Sequence, residues 1–290
     1  MSVDREVRAC SPREWSTLVA ALEAEFLHTR GRKGTLAERY PTLFGGAGVP
    51  DAFRLCAAGE EVVSACAIRR FRWEAQALFH GAMIGFVWTA PGHRGQGHAA
   101  FLLRSVVDEL SAQGLDFAVL WSGLEGFYER LGWQRADPGV FATIPGAPHV
   151  PRESPPPPAA SSLEALRLAS HQPRLRRGAQ DWQVVPIPAT CVGMFASTDA
   201  YLLCGDSNED RFIYEAHGPQ AALAALWPRV AAGMTRVHVN DWTGGPLHAW
   251  LAGHSIGVFK PQRLAFWQPL GLRAKQGHWR QWHLPWFDRI

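Results

Sequence analysis

The first regular pattern of apolar residues along the chain is helical. Apolar side chains recur at the spacing of a helix between Trp15 and Phe26. Ser11, Pro12 and Glu14 stand just before this stretch, where a capping residue, a first-turn proline and a capping-box acid are expected. The pattern therefore predicts a helix near the beginning of the chain.

Shorter apolar runs with turn residues between them predict strands after this helix. The predicted strands of the first half cover residues 52–58, 62–71, 77–89, 117–121 and 140–144, the last closing this half. A helix from about Gly97 to Gln113 and a short helix that carries Tyr128 lie between strands. Gly81 and Gly85 interrupt the long third strand, which predicts a bulge or a ligand that approaches the backbone closely.

A proline-rich stretch divides the chain. Because proline lacks a backbone donor, residues 146–161 are predicted to be a semi-rigid linker between domains at 1–145 and 162–290. Strands are predicted at 192–196, 201–204, 212–217 and 235–240, and helices at 163–169, from Pro219 to a stop near Trp227, and at 246–252. This order repeats that of the first half. We expect two domains of one α/β (α+β) fold, each a mixed, mainly antiparallel sheet flanked by helices.

Composition and charge narrow the possible functions. Of the 290 residues, 47% are hydrophobic and 19% charged, which excludes general disorder. The net charge is +3 and the arginine clusters are small, so no nucleic-acid partner is predicted. No apolar run approaches the roughly 18 residues of a membrane span, so no membrane partner is predicted either. The five cysteines include no C-x-x-C pair, which favours free thiols in the cytoplasm and no zinc site.

The segment with the clearest chemistry runs from Thr89 to Ala99, TAPGHRGQGHA. It follows a predicted strand and opens a predicted helix. Main-chain N–H groups in such a turn point together at a helix N-terminus, where they and the helix dipole stabilise a phosphate or diphosphate. Gly95 and Gly97 let the anion approach the backbone without a Cβ in the way. The segment lacks the signatures of a P-loop and of a dinucleotide-binding turn.

At this point the sequence resembles the GNAT superfamily of N-acetyltransferases. Residues Arg94–Ala99 match the family's [RQ]-x-x-G-x-[GA] loop, and Gly126–Trp133 (GFYERLGW) resembles its later "fYerlGF" segment. The resemblance covers about residues 1–145. Within the superfamily, the two motifs together resemble the aminoglycoside-acetylating enhanced-intracellular-survival branch and other tandem GNAT proteins.

The resemblance implies acetyl-CoA as co-substrate, with no metal. The diphosphate would lie on the main chain of Arg94, Gly95, Gln96, Gly97, His98 and Ala99, and the pantetheine would pair with Val87, Trp88 and Thr89 where two strands splay. Ser122 matches a position that contacts the pantetheine arm. Tyr128 matches the general acid, whose phenol would protonate the departing thiolate. Because no motif places a nucleophile, transfer is expected to be direct, and Cys56 and Cys66 are expected to be buried.

The acceptor and the general base stay open at this point. Candidate bases are Glu23, Glu25, Glu74 and His80, and in the enhanced-intracellular-survival branch the chain's own terminal carboxylate serves, which here is that of Ile290. The expected acceptor is a small-molecule primary amine, bound by a monomer or homodimer. The alternatives are a protein or peptide N-acetyltransferase and a CoA-binding sensor without turnover.

The second half lacks the family loop. Only Gly218, Pro219 and Gln220 join its predicted strand and helix, which is too short a turn to surround a diphosphate. This half is therefore predicted to be a degenerate GNAT-like domain that shapes the acceptor site or an interface. The tryptophans near the C-terminus, which include Trp267 and Trp286, are expected in the core or interdomain packing, with an aromatic wall of the acceptor pocket as the alternative.

Overall fold

Two mixed sheets with helices packed on them make up most of the regular structure. The computed structural model describes residues 4–46, 49–75, 77–158, 160–169, 174–276 and 279–290. The strands in this part of the chain are β1 (Arg5–Ala9), β2 (Phe53–Ala58), β3 (Glu61–Glu74), β4 (Leu78–Thr89), β5 (Phe117–Trp121), β6 (Gln134–Arg135), β7 (Gly139–Pro145), β8 (Arg174–Leu175), β9 (Cys191–Ala196), β10 (Tyr201–Ser207), β11 (Asp210–His217), β12 (Arg236–Trp242), β13 (Lys260–Pro261) and β14 (Ala265–Pro269).

The helices lie between these strands. Those within the described ranges are α1 (Pro12–Phe26), α2 (Leu36–Arg39), α3 (Pro41–Phe44), α4 (His98–Ala112), α5 (Glu125–Glu129), α6 (Ala160–Ala169), α7 (Gln220–Ala231), α8 (Pro246–Gly253) and α9 (Leu272–Gln276). The predicted start of α1 is confirmed, because the Glu14 carboxylate accepts a hydrogen bond from the main-chain N–H of Ser11 at 3.0 Å.

Each sheet repeats the same local order of strands. The first sheet runs β1-β2-β3-β4-β5-β14-β6, with β8 on β3, and the second runs β13-β7-β12-β11-β10-β9. The pair β4–β5 in the first sheet and the pair β11–β12 in the second are parallel, and the other pairs are antiparallel. The prediction of two mixed, mainly antiparallel sheets flanked by helices is confirmed.

The two halves of the chain exchange a strand. Residues Val140 to Ile144 form a strand as predicted, but the expectation that it closes the first half is wrong. This strand, β7, pairs with β12 of the second sheet from Gly139↔Trp242 to Pro145↔Arg236. The free edge of β5 is occupied instead by β14 from the second half. An apolar alternation specifies a strand but not which sheet edge it joins, so the sequence pattern could not reveal the exchange.

The proline-rich stretch lies along the edge of the second sheet. The carbonyl of Pro156 accepts a hydrogen bond of 2.8 Å from the N–H of Met194 in edge strand β9. A Cβ on Gly193 would stand 2.5 Å from the carbonyl oxygen of Pro155, so only glycine allows this approach. Proline has no backbone N–H to donate, but its carbonyl oxygen can accept a hydrogen bond. The proline-rich stretch can therefore cover edge strand β9, which would otherwise be open to pairing with another chain.

Helix α7 departs from its predicted end. It continues through Pro228 to Ala231 instead of stopping near Trp227. Proline inside a helix removes one hydrogen bond to the preceding turn. Val230 and Ala231 are buried, at 0% and 8% exposure, so apolar packing holds the last turn in place.

An apolar core joins the two halves. Leu22 of α1, Phe53 of β2, Tyr201 and Tyr214 of the second sheet, and Phe287 near the C-terminus belong to one buried cluster. A second cluster buries several of the C-terminal tryptophans, Trp267, Trp279 and Trp282, against β3 and β5. The expected packing role of these tryptophans is confirmed.

A buried group of charges ties the C-terminal segment to both sheets. The Arg177 guanidinium donates to the two carboxylate oxygens of Asp288 at 2.8 and 2.7 Å and also to Glu215 of β11. Arg69 of β3 donates to the main-chain carbonyl of Asp288 at 2.6 Å. Burial opposes ionisation, but Arg177 holds the pKa of Glu215 and of Asp288 below their usual values. The charges therefore fix residues 286–290 against the sheets.

Loss of this ion pair should cost stability. In Asp288→Asn the Arg177 guanidinium keeps only part of its counter-charge, and we expect the free energy of unfolding in urea to fall by about 3 to 5 kcal/mol. The matched control is Arg229→Gln, which breaks an exposed pair with Glu153 and should cost less than about 1 kcal/mol. Equal losses for the two variants would contradict the structural role assigned to Asp288.

Candidate active site

Strands β4 and β5 pair over a short distance and then separate. Their pairing covers Gly81↔Phe117, Ala82↔Ala118 and Met83↔Val119, although β4 continues to Thr89. The register of β4 on β3 shifts in this region, and Phe86 adopts a φ of +49°. This bulge turns the end of β4 away from β5, so the predicted irregularity in this strand is confirmed and the backbone beyond Met83 borders an opening.

The last residue of the chain lies on β4 beside this opening. A Cβ on Gly85 would stand 2.5 Å from the carbonyl carbon of Ile290 and 2.6 Å from its oxygen. A side chain at position 85 would therefore displace the C-terminal main chain. Gly85 is required here for a close approach, and the approaching group is part of the protein itself.

A cavity of about 1140 Å³ extends from this opening. We call it the chamber. Residues 85–87 of β4 form one wall, and residues 121–124 together with Tyr128 form another. The second half of the chain contributes residues 260–262 and the C-terminal segment with Trp286, Arg289 and Ile290 to its lining.

The loop between β4 and α4 has the geometry of an anion-binding turn. Gly95 and Gly97 have φ values of +77° and +80°, which other residues adopt only with strain. Helix α4 begins at His98, directly after them. The first N–H groups of a helix have no partner inside it, and here they stand on an exposed loop. The predicted helix start is confirmed, and the turn is open to a ligand.

Side chains hold this loop to its neighbours. The Arg94 guanidinium donates to the main-chain carbonyl of Thr89 at 3.2 Å and to the Glu25 carboxylate at 2.7 Å. Arg5 donates to the main-chain carbonyl of Gln96 at 3.1 Å. The side chain of Arg94 is thus directed to α1, and what the loop offers to an anion is its main chain.

His98 contributes backbone and not charge. Its side chain is 2% exposed, and burial lowers the pKa of the imidazole. A neutral imidazole beneath the first turn of α4 adds no attraction for an anion. Ala99, the next residue, is small and half-buried, so it leaves the approach to the main chain clear.

Tyr128 lies at the inner wall of the chamber. It is 5% exposed and packs against Phe127, Trp133 and Phe266. Burial raises the pKa of the phenol to about 12, although a hydrogen bond with Ser122 works in the opposite direction. The phenol therefore stays protonated at ordinary pH, and Tyr128 can act as a donor but not as a base.

The three β4 residues that were expected to pair with the pantetheine arm differ in their position relative to the chamber. Val87 lines the chamber, whereas Trp88 and Thr89 do not. The hydroxyl of Ser64 on β3 donates to the carbonyl of Trp88 at 2.5 Å and lies 3.2 Å from the hydroxyl of Thr89. These contacts fix the end of β4 on the side away from β5.

The structure brings some of the candidate bases to the chamber and not others. Glu25 and Ile290 line it. Glu23 accepts a hydrogen bond from the N–H of Leu36 at 2.9 Å, and it does not line the chamber. Glu74 and His80 lie at the far ends of β3 and β4, outside the chamber lining.

The chamber also contains residues that the sequence did not single out for the site. These are Arg30, Arg32, Tyr40, Lys260, Gln262 and Arg289. They come from the loop after α1 and from the second half of the chain, where no motif marks them. Of the tryptophans in the described ranges, Trp286 and Trp121 differ from the others in that they line this cavity.

Within the described ranges, none of the helices combines the length and the hydropathy that a membrane span requires. Among the same residues, no three side chains of His, Cys, Asp or Glu gather to hold a metal ion.

Comparison with known families agrees with this geometry. Residues 6–136 match the family model described as an acetyltransferase (GNAT) domain. This chain carries a GNAT acetyltransferase domain. The matched range includes the strand opening, the loop at Arg94–Ala99 and Tyr128, and it stops before the proline-rich stretch.

Solved structures resemble nearly the whole chain. A GCN5-related N-acetyltransferase from Kribbella flavida is 19% identical over 93% of this chain and 72% of its own, with a TM-score of 0.69. A probable N-acyltransferase from Enterococcus faecalis V583 is 15% identical over 93% and 74%, with a TM-score of 0.71. Eis1 from Mycobacterium abscessus is 12% identical over 93% of this chain and 75% of its own, with a TM-score of 0.62.

At these identities the likeness establishes the fold, which these proteins share with both halves of the chain. No curated protein matches the sequence. The similarity in fold does not identify the substrate that accepts the acetyl group, and the residues that line the chamber bear on it more directly.

Proposed function

We propose that the GNAT domain transfers an acetyl group from acetyl-CoA directly to a primary amine of a small molecule. The observation that carries the proposal is the opening between β4 and β5. It lies between an exposed turn of main-chain donors at 94–99 and a chamber that contains a protonated phenol.

The diphosphate of acetyl-CoA would bind the main-chain N–H groups of Arg94, Gly95, Gln96, Gly97, His98 and Ala99. The positive φ at both glycines supports this placement, as does the start of α4. The pantetheine arm would enter beside Val87, Trp88 and Thr89, where β5 no longer pairs with β4. Ser122, which lines the chamber at the end of β5, would contact the arm.

The reaction needs a donor at the sulfur. The amine nitrogen attacks the thioester carbonyl, the C–N bond forms, and the C–S bond breaks. Negative charge develops first on the carbonyl oxygen, for which a main-chain N–H of Val87 to Thr89 is the proposed donor. The departing thiolate takes a proton from the Tyr128 phenol, which burial keeps protonated.

The nitrogen must also lose a proton, and we assign its acceptance to the side-chain carboxylate that lines the chamber, which is that of Glu25. Arg94 holds this carboxylate in place at 2.7 Å. Glu25 is therefore the proposed base.

Direct transfer fits the position of the cysteines. Cys56 and Cys66 are fully buried, as expected, and burial raises the pKa of the Cys66 thiol to about 12. Of the residues that line the chamber in the described structure, none is a cysteine. A thiol that stays protonated away from the chamber is a poor nucleophile for the acetyl group.

The form of the chamber favours a small amine over a protein. Residues 260–262 and Trp286, Arg289 and Ile290 line it from the second half, so both halves of the chain border the space that the acceptor would occupy. The second half has only Gly218 and Pro219 between β11 and α7. We propose that it shapes the acceptor side and binds no CoA of its own.

The loop proposal is tested by Gly95→Glu. A side chain at a φ of +77° strains the turn, and the added carboxylate repels the diphosphate, so calorimetry should show CoA affinity at least about 10-fold weaker. Gly114→Glu is the matched control, since this exposed glycine has a φ of +75° at the other end of α4. Unchanged binding by the Gly95 variant would refute the loop as the diphosphate site.

The role of Tyr128 is tested by Tyr128→Phe. Loss of the general acid should lower kcat by about 10²- to 10⁴-fold while the dissociation constant of CoA stays the same. The readout is thiol release from acetyl-CoA with a panel of primary amines. If the wild-type protein binds CoA but turns over none of the amines, the chain is the sensor and not the enzyme. Full activity of the variant would exclude Tyr128 as the acid.

The base is tested by Glu25→Gln, which replaces its carboxylate with an amide. We expect kcat to fall by about 10²-fold or more and CoA binding to persist. Glu23→Gln is the comparison, since Glu23 does not line the chamber, and it should retain most of the rate. A large loss in Glu23→Gln with none in Glu25→Gln would contradict the assignment.

A further inference from the structure

We propose that the acceptor carries an anionic group in addition to its amine, and that Arg32 binds this group in the chamber. The inference rests on the proposed function and names the class of its substrate. It is drawn from the charges, hydrogen bonds and apolar surface of the chamber.

The chamber has more cations than anions. Arg30, Arg32, Lys260 and Arg289 line it, and the side-chain carboxylate in its wall is that of Glu25. The charge of Glu25 is compensated by Arg94, which lies outside the chamber lining. The cations are therefore in excess over the anions that remain.

The Arg32 guanidinium is distinguished from its neighbours by its lack of partners among the described residues. In the described part of the chain, its side chain forms no ion pair and donates no hydrogen bond. It is half-buried, and burial together with the nearby charges of Arg30 and Arg39 lowers its pKa. A partly desolvated cation beside like charges is stabilised when an anion binds to it.

The neighbouring arginines are already occupied. Arg39 donates to the carbonyls of Ala189 and Lys33 at 2.7 and 3.1 Å. Arg289 donates to the carbonyl of Leu284 at 3.1 Å and to the side-chain oxygen of Gln262 at 3.0 Å. Neither has a carboxylate at ion-pair distance among the described residues, so both add positive potential. Arg30, which also lines the chamber, is exposed, and its guanidinium lies 5.7 Å from the centre of the Phe26 ring. Arg32 is left as the half-buried fork that can hold an anion with two hydrogen bonds.

The rest of the wall is apolar. Phe26, Tyr40, Phe86, Ile187 and Trp286 line the chamber. An acceptor that suits this wall has an apolar or aromatic body beside its amine and its anion. A polycationic amine meets like charges in the chamber, and like charges across a binding surface cost several kcal/mol. The preferred class is thus an amine with a carboxylate or phosphate on an apolar body.

The test compares amines that differ only in the anionic group. Acetyl transfer is measured for phenethylamine and its carboxylated partner phenylalanine, for tryptamine and tryptophan, for an aminoalkyl phosphate, and for a polycationic aminosugar. We expect kcat/KM to be about 10- to 100-fold higher for the anionic member of a pair, the range of a charged hydrogen bond. The aminosugar should be the poorest acceptor.

The variant Arg32→Gln should remove this preference. KM for the anionic amine should rise about 10-fold or more, while kcat, the neutral partner and the dissociation constant of CoA stay unchanged. Arg32→Lys should restore part of the preference, and Arg13→Gln, an exposed arginine of α1, should have no effect.

Several outcomes would overturn the assignment. One is equal use of neutral and anionic amines by the wild-type protein. Another is an Arg32→Gln variant that binds CoA more weakly and keeps the preference for anionic amines. That result would show that Arg32 binds the co-substrate and not the acceptor. Failure of the proposed function looks different, because no amine of the panel would then be acetylated at all.

Discussion

The separation of β4 from β5 is the constraint on which the rest of the site depends. The two strands pair through Met83↔Val119, and the bulge at Phe86 then directs the end of β4 away. If the pairing continued, the main-chain N–H and C=O groups of Val87 to Thr89 would form hydrogen bonds with β5, and no opening would exist between the strands. Because it stops, one exposed strand end, one helix N-terminus and one chamber meet at the same place.

The second half of the chain completes this site from the other side. It gives β14 to the first sheet and receives β7 in return, so the halves are connected through both sheets. The buried pair of Arg177 and Asp288 then fixes the C-terminal segment, and Gly85 gives the main chain of Ile290 room on β4. The second half, whose connection between β11 and α7 is only two residues long, thereby supplies part of the wall of the chamber.

Local features of the site could be predicted from the sequence, and features that depend on distant pairing could not. The turn at Arg94–Ala99 follows from glycines and a helix start, and Tyr128 follows from a motif with fixed spacing. The exchange of β7 and β14 could not be foreseen, because a strand pattern fixes which face is buried and not which edge is joined. The position of Arg32 in the chamber, and the part of the chamber wall that comes from the second half, were not predicted for the same reason. Residues far apart in the sequence come together to form the chamber.

We propose that CoA enters between β4 and β5 and binds the main chain of the loop that follows. Amide hydrogen exchange, measured with and without CoA, reports on these N–H groups themselves. We expect CoA to slow exchange at residues 87–89 and 94–99 and to leave it unchanged at 210–220, the corresponding connection of the second half. Unaltered exchange at 94–99, or protection confined to the second half, would exclude this binding site.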